Sequence, residues 1–313
     1  MSTSTAEGFM HEVGFYASDA EFADLVIPFA REGGRTGEPV IFAYDKYKTS
    51  LLQQWLPDSS AITYITDSRP YATPAKALGG WRKRVQAHIA AGAARVRIAG
   101  NVPHPGYGIP YTGWDRYEAA IDRALGDLPV WAPCLYDSRI APADVLERAT
   151  SLHQSVRERD GTRRHNADYR EPTRLTDFLA AAPDPLAQTA PTLDLSDPAP
   201  ATLRTAIRRL AAGRLRADRT DVLLLAASEA VANAIIHGTP PVSARAWVTA
   251  DRMIIQIHDT GAGPTDPLTG LFDSGERSAE SGRGLWIAHQ LDLDVAMIVT
   301  DDGFTVRLRV DLD

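Results

Sequence analysis

The residue types best suited to chemistry fall together in one stretch, Leu223 to Gly238, which reads LLLAASEAVANAIIHG. Glu229, Asn233 and His237 stand four apart in an otherwise apolar run. On an α-helix that spacing places them on one face, one turn above another. A carboxylate facing a cavity is a proton acceptor for general-base work. The flanking Leu224, Leu225, Ala227, Val231, Ala232, Ile235 and Ile236 are apolar nearly all round, which predicts a buried helix. A buried carboxylate and amide need partners or a wet cavity. A core helix with a satisfied polar pair is the plainer alternative.

Two further segments follow in order. After a predicted strand, MIIQIHD, comes the turn Asp259-Thr260-Gly261-Ala262-Gly263, and later Ser281-Gly282-Arg283-Gly284-Leu285 opens another apolar helix. Glycine pairs alone mark many turns. The ordered set E-x3-N, D-x-G-x-G and G-x-G resembles the N, G1 and G2 boxes of the GHKL ATPase superfamily. The compact spacing and SEAVANAIIHG are most similar to the anti-sigma-factor serine kinases. The resemblance implies a two-layer α/β sandwich of the Bergerat type that binds ATP and Mg²⁺.

It also implies roles for matching residues. Asn233 would give an oxygen to Mg²⁺, a hard cation that prefers oxygen ligands and phosphate. Asp259 would accept a hydrogen bond from the adenine amino group, with Gly261 and Gly263 allowing the tight turn beneath the base. Thr305, in GFTVRLRV, matches a family threonine near the adenine. Gly282, Gly284 and Leu285 open a helix whose N–H groups would meet the phosphates, and Arg283 would add charge. Residues 264–280 would form a short lid. Glu229 would take the proton from an attacking hydroxyl, the acceptor being a serine or threonine of an anti-anti-sigma (STAS) protein. His237 either contacts phosphate or ends the helix with Gly238 as its cap, and His258 is expected to point away from Asp259. A sigma factor is a second implied partner, and a homodimer is implied as well. A nucleotide-gated module that holds its partner without phosphorylating it would carry nearly the same boxes.

These boxes occupy the last third of 313 residues, a length that predicts two domains. The expected division is a first domain over 8–156, a linker over 157–195 and the ATPase over 196–313. The linker is read from the charged RERDGTRRHNADYREP and the proline-rich run after it. In the first domain strand-like and helix-like segments alternate. Strands are expected at Val13–Ala17, Pro39–Tyr44, Ala61–Ile65, Ala94–Ala99 and Val130–Tyr136. Helices are expected at Asp19–Gly33, Tyr47–Leu56, Thr73–Ala91, Gly113–Leu125 and Pro142–Val156. That alternation predicts a mostly parallel sheet, with ligands beyond the strands' carboxyl ends.

GFYASDAEF beside His11, PFAREGGRTGEPVIFA, CLYDSR and NADYREPTRLTDFL resemble the MEDS sensory domain. The resemblance implies a small-molecule sensor on a RecA-like α/β scaffold without a phosphate-binding loop. His11, Tyr136 and Asp137 are its candidate ligand residues, each with a structural alternative. Leu152-His153-Gln154 departs from the His-Pro of that pattern. The loop from Val102 to Thr112 carries His104, Tyr107 and Tyr111 and reads either as a surface loop or as a lid.

Composition narrows the alternatives. A net charge of −7 with no basic stripe argues against nucleic acid. One cysteine, Cys134, is read as excluding an internal disulfide and a cysteine metal cluster, and as a buried inert thiol. No signal peptide and no membrane-spanning run are visible, so a cytoplasmic protein is expected. No phosphoacceptor hairpin of histidine-kinase length precedes the ATPase boxes.

Overall fold

A computed structural model describes residues 8–57, 61–66, 73–271, 283–290 and 293–313. The chain divides into two compact units at residues 171 and 172.

The first unit holds strands β1 (Met10–Tyr16), β2 (Val40–Ala43), β3 (Ile62–Tyr64), β4 (Val96–Gly100), β5 (Val130–Asp137), β6 (Ser155–Arg157) and β7 (Arg163–His165). Between them run helices α1 (Asp19–Thr36), α2 (Lys46–Trp55), α3 (Pro74–Ala90), α4 (Trp114–Leu125) and α5 (Ala143–Leu152). The sheet order is β3-β2-β4-β5-β1-β6-β7, parallel throughout except for β7. This is the expected mostly parallel α/β sheet.

Local sequence explains the helix ends. Ser18 caps α1 by accepting from the Glu21 amide at 3.1 Å. The helix does not stop at Gly33-Gly34 as expected but at Gly37, whose φ of 71° suits glycine. Gly33 instead serves packing, since a Cβ there would lie 2.5 Å from Val40 Cγ2. Helix α5 ends at Leu152, short of the expected Val156. Asn166 Nδ2 donates to the carbonyls of Thr150 and His153 at 2.7 and 2.8 Å, satisfying the free end of the helix. Val156 is thereby released to pair with Val13 in the sheet.

Register sorts the side chains of β1 and β5. His11, Val13 and Phe15 lie opposite Ala132, Cys134 and Tyr136 on one face. Glu12, Gly14 and Tyr16 lie opposite Pro133, Leu135 and Asp137 on the other.

The second unit is a five-stranded antiparallel sheet, β11 (Asp294–Thr300), β12 (Gly303–Asp311), β10 (Arg252–Asp259), β9 (Ser243–Val248) and β8 (Leu193–Ser196), in that order. Helices α6 (Pro200–Ala211) and α7 (Ala217–His237) bury Leu203, Ile207, Leu223 and Val231 in one core with Ile255, Ile257, Val306 and Leu308 of the sheet. Helix α8 (Arg283–Gln290) lies against α7. The result is the two-layer sandwich.

The stretch 157–195, expected as a linker, is divided between the units. Its start completes the β6–β7 hairpin of the first sheet, and its end supplies β8 to the second. Between them, Ala182 accepts from Arg307 at 2.7 Å and Thr189 from the Trp247 indole at 3.0 Å.

Helix α7 departs from expectation. It is long and apolar enough to cross a bilayer by composition, and its Leu223, Ala227 and Val231 are packed into the sandwich core. Yet Leu225, Ile235 and Ile236 are 39%, 50% and 69% exposed. A single helical layer covers only the side of the helix that meets the sheet, so apolar composition all round did not mean burial all round.

Candidate nucleotide and ligand sites

Asp259 ends β10 on the sheet face that meets α7, and it is buried. Its Oδ1 accepts from the amides of Gly261 at 2.8 Å and Thr239 at 3.1 Å. The carboxylate therefore ties its own turn to the end of α7. Two glycines make room for it. A Cβ on Gly238 would lie 2.5 Å from Asp259 Cγ, and one on Gly261 would lie 2.7 Å from Oδ1. Gly238 caps α7 with extended backbone, φ −80° and ψ −171°, so close approach and not a left-handed turn requires glycine there. Gly263 has φ 80°, and its missing side chain is replaced by the Phe304 ring, 2.8 Å from where a Cβ would sit.

Glu229 and Asn233 lie one turn apart on α7, both half-buried, and His237 is exposed at its end. Among the described residues neither Glu229 nor Asn233 makes a side-chain hydrogen bond, which sets aside the satisfied polar pair.

Thr305 is a correction. Its hydroxyl lies 3.0 Å from His258 Nδ1, and the register pairs Thr305 with His258 while Phe304 pairs with Asp259. Thr305 thus sits on the sheet face away from Asp259, with His258, which points there as expected. Phe304 takes the place beside the Asp259 turn. Of the glycine-rich helix start, Gly282 lies outside the described residues, as do 272–280 of the expected lid. Arg283, Gly284 and Leu285 begin α8, which packs on α7.

Asp259→Asn is expected to weaken nucleotide binding by about 1–3 kcal/mol, because the new amide would set a donor against the adenine amino group. Calorimetric titration with ATP checks it; equal affinity would refute this placement of the base.

The sensor candidates separate. Tyr136 and His11 lie on one face of the first sheet and Asp137 on the other. Asp137 joins a charged network at the carboxyl ends of β1, β2 and β5. It takes bonds from Arg139 Nε at 2.8 Å and Nη2 at 2.7 Å, with Lys48 Nζ at 3.7 Å. Burial opposes its charge, but Arg139 and Lys48 outweigh that and hold its carboxyl below the usual range. Lys48 is itself buried, which lowers its pKa, with Arg139 adding to the effect against Asp45 and Asp137. Lys48 Nζ donates to the Tyr107 hydroxyl at 2.8 Å. The loop from Val102 to Thr112 is therefore no plain surface loop, since His104 and Tyr111 are buried and Tyr107 reaches Lys48.

His104 is pushed down to about 4 by burial and by the nearby Lys48 charge. Its Nδ1 accepts from the Gly106 amide at 3.1 Å, as a neutral ring does. A lowered histidine pKa means the unfolded chain takes a proton that the native state refuses. The stability of the first unit is therefore expected to fall as pH drops from about 6.5 toward 4. Urea midpoints across that range check it, and His104→Asn should flatten the acid limb.

On the opposite face His11 does not stand at a strand edge. Its Nδ1 lies 3.1 Å from Asp122 Oδ1, and its Nε2 lies 3.2 Å from Cys134 Sγ and 3.4 Å from Glu118 Oε2. Tyr136 donates to Glu118 Oε1 at 2.6 Å. Glu118 is buried, which opposes its charge, but His153 and His11 more than compensate and hold it ionised. Neither Glu118 nor His153 was singled out by sequence reasoning as a site residue.

The fold and these sites define a parallel α/β unit with a polar strand-end site, followed by an α/β sandwich with a glycine-lined aspartate of the nucleotide-binding kind. Comparison with protein families agrees in both halves. Residues 10–154 match the family described as MEDS, the methanogen/methylotroph, DcmR sensory domain. Residues 196–310 match the histidine kinase-like ATPase domain. The chain carries a MEDS domain followed by a histidine kinase-like ATPase domain. No curated protein matches it.

Proposed function

We propose that this ATP-binding regulatory protein is a protein kinase whose C-terminal unit transfers the terminal phosphoryl of Mg·ATP to a serine or threonine of a partner, under control of the N-terminal sensor. The observation that carries the reading is the pair Glu229 and Asn233, half-buried, one turn apart and without side-chain hydrogen bonds among the described residues. The same helix ends on the Asp259 turn. Asp259 would hold the adenine, and Asn233 would hold Mg²⁺ against the phosphates. Glu229 would accept the hydroxyl proton as the acceptor oxygen attacks the terminal phosphorus and ADP leaves. Gly282, Arg283 and Gly284 would meet the phosphates.

The exposed Leu225, Ile235 and Ile236 favour a protein as the acceptor. A small anti-anti-sigma protein of the STAS type is the acceptor this reading names, with a sigma factor as the second partner. The test adds the purified chain and ATP labelled on its terminal phosphate to lysate of the source organism. A newly labelled small protein supports the reading. ATP binding without any labelled product would favour a nucleotide-gated module that holds its partner without phosphorylating it.

A further inference from the structure

Four buried side chains from four separate elements converge on one point in the first unit. They are His11 of β1, Glu118 of α4, Cys134 of β5 and His153 just beyond α5. One donor atom from each lies within 4.8 Å of all the others. Cys134 Sγ stands 3.2 Å from His11 Nε2 and 3.3 Å from Glu118 Oε2. Glu118 Oε2 stands 3.4 Å from both His11 Nε2 and His153 Nε2. A tetrahedral ion with metal–nitrogen bonds of about 2.0–2.1 Å and a metal–sulfur bond of about 2.3 Å sets neighbouring ligand atoms roughly 3.3–3.6 Å apart. The four observed separations fall close to that span.

The outer atoms of these residues are already engaged. His153 Nδ1 lies 2.7 Å from the Ala149 carbonyl, a contact only a ring N–H can make favourable. That turns Nε2 inward, buried and without a hydrogen bond, 3.4 Å from Glu118 Oε2. His11 Nδ1 faces the Asp122 carboxylate at 3.1 Å, which turns its Nε2 toward Cys134 in the same way. Glu118 spends Oε1 on the Tyr136 hydroxyl and keeps Oε2 inward. Carboxylate and carbonyl partners that fix ring orientation are what metal-ligating histidines have. Binding a cation through these atoms would use a thiolate, a carboxylate and two neutral imidazoles, whose two negative charges a divalent ion would balance inside the core.

We infer that His11, Glu118, Cys134 and His153 form a closed site for a late first-row divalent cation of the zinc class. Nitrogen, sulfur and carboxylate donors together suit zinc, cobalt or iron(II) over magnesium or calcium. All four positions are filled by protein, so the ion serves structure or sensing and not hydrolysis. It would clasp α4 and the end of α5 to the two central strands.

The test uses the full chain. Metal content is measured after expression in zinc-supplemented medium, and cobalt(II) is then exchanged in as a spectroscopic probe. The expected result is one zinc per chain, with a near-ultraviolet thiolate-to-cobalt band and the visible bands of a tetrahedral ion. Cys134→Ser should lose the thiolate band, and His153→Gln should lower zinc affinity by roughly 10-fold or more. Circular dichroism shows whether each variant folds. Because the wild-type spectrum stands alone, misfolding of the variants leaves the inference testable. A folded wild-type chain that takes up neither zinc nor cobalt would overturn it. So would stoichiometric metal retained with an unchanged spectrum in folded Cys134→Ser.

Discussion

Glu229→Ala is expected to cut phosphoryl transfer by about 10²–10⁴-fold while leaving ATP affinity essentially unchanged. The side chain lies half-buried on α7 and forms no hydrogen bond with the described residues. Its removal therefore breaks no internal contact of that kind. Alanine is the best helix former, so the helix that carries Asn233 and meets Asp259 stays in place. The lost activity would then belong to proton transfer and not to the nucleotide site. Transfer rates with labelled ATP, beside calorimetric ATP affinities, separate the two. Unchanged transfer would remove Glu229 from the mechanism.

A large effect of another kind is expected in the first unit. Glu12 is fully buried on β1 and accepts from Arg157 Nη1 at 3.2 Å and from the Trp131 indole at 2.8 Å. Arg157 is buried too, with its guanidinium 5.2 Å from the centre of the Trp131 ring. Glu12→Ala would leave that cation in the core without its carboxylate, at a cost of about 3–5 kcal/mol. Glu12→Gln keeps an acceptor and should cost less. Hydrogen exchange on the full chain reads the effect locally. Protection of β1 and β5 amides should fall by roughly two to four decades, since each 1.4 kcal/mol is tenfold. Amides of the second sheet serve as the internal reference.

What the sequence showed plainly was local. The four-residue spacing on α7 and the D-x-G-x-G turn are each written within a few residues, and the structure has them where the spacing put them. The alternation of strands and helices gave the parallel sheet for the same reason. What it hid depends on pairing between distant segments. Whether Thr305 or Phe304 faces Asp259 turns on strand register, where a shift of one residue reverses every side chain. Helix α7 looked buried because composition does not show how many layers cover it. The four-residue cluster was invisible because its members, at 11, 118, 134 and 153, meet only after β1 and β5 pair and α4 and α5 pack. The single cysteine argued against a cysteine metal cluster, but a mixed site needs only one.

In the proposed function the second unit binds Mg·ATP through Asn233 and Asp259. The most direct measurement is calorimetric titration of the full chain with ATP, with and without Mg²⁺, beside Asn233→Ala. One ATP per chain is expected, tighter with Mg²⁺, with that magnesium dependence lost in the variant. A folded chain that binds no ATP, or a magnesium dependence untouched by Asn233→Ala, would contradict it.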